Sequence, residues 1–101
     1  MRLKDGVMLT GLRPEMAVAL LCVADVYRTV VDRAPVVTSA LDCKHSRTSL
    51  HYVGQAIDLR IRDLPQTVHQ SLTDAIRKAL SAEFDVVLEH THIHVEYQPK
   101  R

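Results

Sequence analysis

The stretch Ser49-Leu50-His51-Tyr52-Val53-Gly54-Gln55-Ala56-Ile57-Asp58-Leu59-Arg60-Ile61-Arg62 carries two patterns, one after the other, and their junction decides the fold. The second half alternates strictly. Ile57, Leu59 and Ile61 fall on one side of an extended chain, and Asp58, Arg60 and Arg62 on the other. This predicts a half-buried strand over residues 56–62, with Asp58 leaving its polar face. The first half sets His51 and Asp58 seven residues apart, with Gly54 between them. On one continuous strand those two positions face opposite sides, roughly 23 Å apart. On a helix they are separated by about 10 Å along the axis. If they meet over one ion, the chain bends sharply between them, and Gly54 is the residue there that takes a left-handed conformation without steric cost. The spacing predicts a loop entering a strand.

Upstream of this stretch, residues 1–11 read as an irregular or short extended lead-in. Pro14 and Glu15 suit the first turn of a helix, where a missing N–H is harmless and a carboxylate complements the helix dipole. Met16, Leu20, Val23, Tyr27, Val30 and Val31 then recur at three- and four-residue steps, predicting a helix to about Arg33. Ala34-Pro35 stops it, and the β-branched run 36–39 predicts a short strand. Residues 40–50 are polar and are expected to form a loop. Downstream, Asp63-Leu64-Pro65 ends the alternating strand, and Leu64, Val68, Leu72, Ile76 and Leu80 at steps of four predict a second helix with one apolar stripe. Residues 84–88 read as a strand, 89–91 as a tight turn and 92–97 as the partner strand, with Ile93 and Val95 facing inward. The expected fold is α+β: a small antiparallel sheet with two helices packed on one side, forming a single domain over residues 1–101.

Composition sets the limits of function. With 101 residues, 47% of them apolar, the chain builds one modest core and leaves no room for a second. The formal charge is +1, with acidic and basic residues mixed along the length, which argues against nucleic acid as a partner. The longest apolar run, residues 16–24, is too short to span a bilayer, and the N-terminus lacks the pattern of a secretion signal. A product made in the cytoplasm, with no membrane partner, is the expectation. Cys22 and Cys43 form neither a disulfide framework nor metal knuckles, and Cys22 within the helical pattern reads as a buried free thiol.

The histidines concentrate the chemistry. His92 and His94 are two apart on a predicted strand, so their rings leave the same face with Cα atoms about 7 Å apart, and Glu96 continues the row. A His, an Asp and a His from separate elements match a catalytic zinc arrangement, with three protein ligands and a fourth position for water. His69 stands alone on the second helix and has no assigned role, and His90 reads as a turn residue.

The motif Ser49-x-His51-x-x-Gly54-x-Ala56-x-Asp58, followed by His92-Ile93-His94, resembles the zinc peptidases that comprise D-Ala-D-Ala carboxypeptidases and phage endolysins. These share the zinc fold of the hedgehog signalling domain, and His45-Ser46-x-x-Ser49-Leu50-His51-Tyr52 is similar to the hedgehog version. The resemblance covers about residues 36–99. It implies that His51, Asp58 and His94 bind zinc, with His92 beside the reacting carbonyl and Glu89 as general base. Bacterial members often carry an acidic residue three positions before the last ligand, where this chain has Thr91, and Glu96 is the alternative base. His45 or Arg47 at the rim suits a substrate carboxylate. The implied activity is zinc-dependent cleavage of peptidoglycan stem peptides or cross-links, as in a phage or prophage lysis protein that reaches the wall through a holin or in a virion. The rival readings are a zinc-stabilised binding module on the same fold, and a metal-free domain with incidental histidines. Because two ligands are histidines that bind as neutral rings, zinc affinity is expected to fall as pH drops through roughly 6.

Overall fold

A computed structural model describes residues 1–7, 12–43 and 54–98 of the chain. Five strands and two helices follow in the order β1 (Arg2–Leu3), α1 (Pro14–Val31), β2 (Val36–Cys43), β3 (Gly54–Arg60), α2 (His69–Ala79), β4 (Phe84–Leu88) and β5 (His92–Tyr97). The strands form one sheet in the order β1-β2-β3-β5-β4. The sheet is mixed, not antiparallel throughout: β1 runs parallel to β2, and the other neighbours are antiparallel. A parallel neighbour requires a crossover, and α1 supplies it between β1 and β2. Two residues are too few to show a period, so the lead-in gives no strand signal in the sequence.

The alternation of residues 56–62 survives with a shift of boundaries. Gly54 already pairs with Cys43, and the ladder ends at Arg60, while Ile61 and Arg62 lie beyond it. Ile57, Leu59 and Ile61 are nonetheless all buried. Strand β2 runs four residues further than the apolar run 36–39. Residues 40–43, expected in a loop, pair with residues 54–57 of β3, because an antiparallel hairpin partner holds polar residues in a ladder as well as apolar ones. The register slips between Val37 and Ser39, so Thr38 sits in a β-bulge. The last hairpin has the expected boundaries. Its turn, residues 89–91, is closed by the Glu89 N–H donating to the His92 carbonyl at 2.9 Å.

Both helices cover the same face. Met16, Leu20, Val23 and Tyr27 of α1 and Leu72 and Ile76 of α2 join Val37, Ile57, Leu59, Val86, Ile93 and Val95 in one core. Val30 departs from the expected stripe and is exposed, while Val31 packs against the edge of the core and the helix ends at Asp32 in a left-handed conformation. Cys22 is half-buried rather than buried. The predicted second helix is split: a 3-10 turn, Gln66–Val68, leads into α2. At that junction the His69 Nε2–H donates to the carbonyls of Ile61 (2.9 Å) and Leu64 (3.2 Å), tying the start of α2 to the end of β3. Gln55 does the same for α1, its buried side-chain oxygen accepting from the Arg13 N–H at 2.7 Å. Beneath β3 the Tyr27 hydroxyl donates to the Arg60 carbonyl at 3.4 Å, and burial, then the charge of Asp63, pushes that phenol well above the ordinary tyrosine range. These anchors fix β3 from its core side, the side on which both helices pack. Among the described residues no helix is long and apolar enough to cross a membrane.

Candidate metal and catalytic site

The uncovered face of the sheet is built by the residues that alternate with the core. On β3 these are Asp58 and Arg60, and on β5 they are His92, His94 and Glu96. Register then decides which of them meet. Asp58 lies directly across from His94, and Arg60 from His92. A one-residue slip would send either strand's polar row into the core, so the buried Leu59 and Ile93, which pair between them, lock the polar pairs in place.

The Asp58–His94 pair is close: Oδ1 to Nδ1 is 2.8 Å. The other ring nitrogen of His94, Nε2, stands 2.9 Å from Glu96 Oε1. Glu96 is held in turn by the Gln98 amide, which donates to its Oε2 at 2.7 Å. A carboxylate only accepts, so both ring nitrogens of His94 donate and the ring is favoured as a cation. Burial pulls the His94 pKa down, but the hydrogen bonds and charges of Glu96 and Asp58 outweigh it and set the pKa above the ordinary histidine value.

His92 forms the second half of the site. Its Nε2 is 3.6 Å from Asp58 Oδ1 and 3.6 Å from Glu89 Oε1. That is ion-pair distance and too long for a hydrogen bond. The tight hairpin turn is what brings Glu89 back over His92, so the five-residue separation of Glu89 and His94 does not remove Glu89 from the site. The Thr91 hydroxyl lies 3.2 Å from His92 Nδ1. Donation from Thr91 to Nδ1 leaves the ring proton on Nε2, the nitrogen that faces the carboxylates.

Of the residues expected from the sequence, Asp58, His92, His94, Glu89 and Glu96 come together on one face. His51, His45 and Arg47 lie outside the described residues. Among the described residues no group of three or more His, Cys, Asp and Glu side chains is arranged to hold a metal ion. Asp58 and His94 nevertheless fit as two members of a ligand set. Two donors on one tetrahedral zinc, each at about 2.1 Å, stand about 3.4 Å apart, so the 2.8 Å pair needs to open by only about half an ångström. Metal-ligating histidines ordinarily donate their second ring N–H to a carboxylate, which is the place Glu96 occupies on His94. Glu96 is engaged by His94 and Gln98, and Glu89 is the more exposed of the two carboxylates, at 49% against 15%.

Gln98 was not singled out from the sequence, and Thr91 was noted only as standing where the resembled peptidases carry an acidic residue; both contact side chains of the site from one or two residues away. Arg60 was visible: it stands one polar-face step from Asp58, in the same alternation that located Asp58. No protein-family model matches the chain, and it has no significant match among curated proteins or solved structures.

Proposed function

We propose that the protein is a zinc-dependent peptidase, and that the peptides of peptidoglycan are its substrate. The observation that carries the metal reading is the Asp58–His94 contact at 2.8 Å with Glu96 on the opposite ring nitrogen, a ligand pair with its outer support already built. His51 is the third ligand in this proposal. Gly54 to Asp58 is about 13 Å along β3, and the three residues from His51 to Gly54 span at most about 11 Å. For His51 to reach Asp58 the chain has to turn back ahead of Gly54, because Gly54, the expected site of the bend, already lies in β3, paired with Cys43. The peptidoglycan substrate rests on the resemblance of the two motifs.

Zinc held there would supply Lewis acidity toward a carbonyl and lower the pKa of water to roughly 7. The chain's own groups do the rest. Glu89, at the rim, would take a proton from the water that attacks the carbonyl and return it to the amine as the C–N bond breaks. His92, with its proton on Nε2, donates to the oxygen that gains charge as the carbonyl is attacked, a contact whose loss commonly costs a hundredfold or more in rate. Glu96 keeps the His94 ring turned so that Nδ1 faces Asp58.

The test is incubation of purified peptidoglycan with zinc-loaded and with chelated protein. New amino groups or muropeptides with zinc and none without it are expected, and their absence with zinc bound overturns the enzyme reading. Glu89→Gln separates this from a zinc-stabilised binding module. In the enzyme it abolishes turnover and spares zinc and fold, whereas in a binding module it changes nothing measurable.

A further inference from the structure

One rung along the polar face from Asp58, the strands bring together a second set of side chains. Lys4 follows β1 and is tied to β2 by its N–H donating to the Val37 carbonyl at 2.9 Å. Thr38 is the bulged residue of β2, and Arg60 on β3 pairs with His92 on β5. With Arg62 and Thr91 these residues line a polar pocket of about 160 Å³. Three cations and two hydroxyls thus share one cavity with the ring of His92. Among the described residues no Asp or Glu forms an ion pair with Lys4, Arg60 or Arg62, while Arg28 and Arg77 do have such partners. The pocket concentrates positive charge in a chain whose net charge is only +1.

We infer that Lys4, Arg60 and Arg62 form an anion subsite that binds a carboxylate of the peptide substrate beside His92. This rests on the peptidase reading for its consequence, but the pocket itself does not. A guanidinium matches a carboxylate with two parallel N–H donors, and the Lys4 ammonium supplies further donors. The bulge at Thr38 is a device that re-aims a side chain and interrupts pairing, and here it lies between the Lys4 and Arg60 strands. Position gives the register of the substrate. Arg60 and Asp58 are two apart on one face, about 7 Å, and an extended peptide crosses that distance in about two residues. The carboxylate in the pocket therefore lies one or two residues from the bond that is cut. Either the C-terminus or an acidic side chain can supply it.

The experiment titrates the full chain, with and without zinc, with four probes while backbone amides are followed by NMR. These are N-acetyl-Ala-Ala with a free C-terminus, N-acetyl-Glu-Ala amide, N-acetyl-Ala-Ala amide and inorganic phosphate. At least one carboxylate probe is expected to bind about tenfold or more tightly than the neutral amide, with shifts centred on Lys4, Thr38, Arg60 and Thr91. Whichever carboxylate probe binds identifies the source of the carboxylate. Arg60→Gln and Arg62→Gln should each erase most of that preference, and Arg60→Lys should restore part of it. Arg62 is exposed beyond the end of β3, so its variant keeps the test informative if Arg60→Gln unfolds. Equal binding of acid and amide, shifts elsewhere, or phosphate displacing both carboxylate probes at lower concentration overturns the subsite. A chain that binds the acids here and cleaves no peptide keeps the subsite and loses the peptidase reading; cleavage without an acid preference does the reverse.

Discussion

Both ring nitrogens of His94 face carboxylates, Asp58 on one side and Glu96 on the other, and this has two opposite consequences for its proton. In the metal-free protein the folded state holds that proton more tightly than the unfolded chain, because the pKa is raised. The stability this gives is fully present below the unfolded value of about 6.5 and disappears as pH rises through the folded one. Metal-free protein should therefore lose melting temperature between pH 5.5 and pH 8.5 relative to His94→Gln, which lacks the group; parallel profiles for the two would contradict the assignment. Zinc must displace the same proton, so its affinity should begin to fall above pH 6.5, earlier than the value near 6 that ordinary histidine ligands suggest. A zinc titration repeated from pH 8.5 down to pH 5 reads this directly, and unchanged occupancy at pH 5 would count against His94 as a ligand. Glu96 belongs to the same residue-scale argument. Glu96→Gln should weaken zinc by about ten- to a hundredfold while the fold is kept, since the amide supports the ring less well than a carboxylate.

Strands β3 and β5 place these side chains, and at this scale the core face is as important as the polar one. Leu59 and Ile93 are fully buried partners between the Asp58–His94 and Arg60–His92 pairs. Leu59→Ala should cost about 2–5 kcal/mol in denaturant unfolding and weaken zinc as well, because the register of β3 is held from below. A variant that loses the stability with no change in zinc affinity would show that the polar pairs do not depend on this packing. The same alternation is why β3, β4 and β5 were legible. Ile57, Leu59, Ile93 and Val95 recur every second residue between polar neighbours, a period that a half-buried strand imposes. The second half of β2 was not legible, because Asp42 and the polar residues that follow it break the apolar signal while residues 40–43 still pair with β3. Nor was β1, whose two residues cannot display a period and whose parallel pairing is set by the α1 crossover. Pairing, not patterning, decides such segments.

Both helices pack on one face of the sheet, and the candidate site lies on the other. Two helices seal one side of the sheet, so the titratable residues of β3 and β5 are left on the other, beside the cationic pocket of Lys4, Arg60 and Arg62. That separation of a carboxylate–histidine rung from a cationic rung was hidden in a sequence whose charges look evenly mixed, since it depends on which strands are neighbours. Asp58, His92 and His94 were legible as a constellation, whereas Lys4 entered only through the pairing of distant strands. Asp58 and His94 are proposed to hold a zinc ion. The most direct test is zinc stoichiometry and affinity of the purified chain, compared with Asp58→Asn and His94→Gln variants shown to be folded by circular dichroism. One zinc per chain, lost or weakened at least about a hundredfold in both variants, is the result predicted. A stoichiometry near zero in the wild-type chain, or binding that neither variant disturbs, would contradict it.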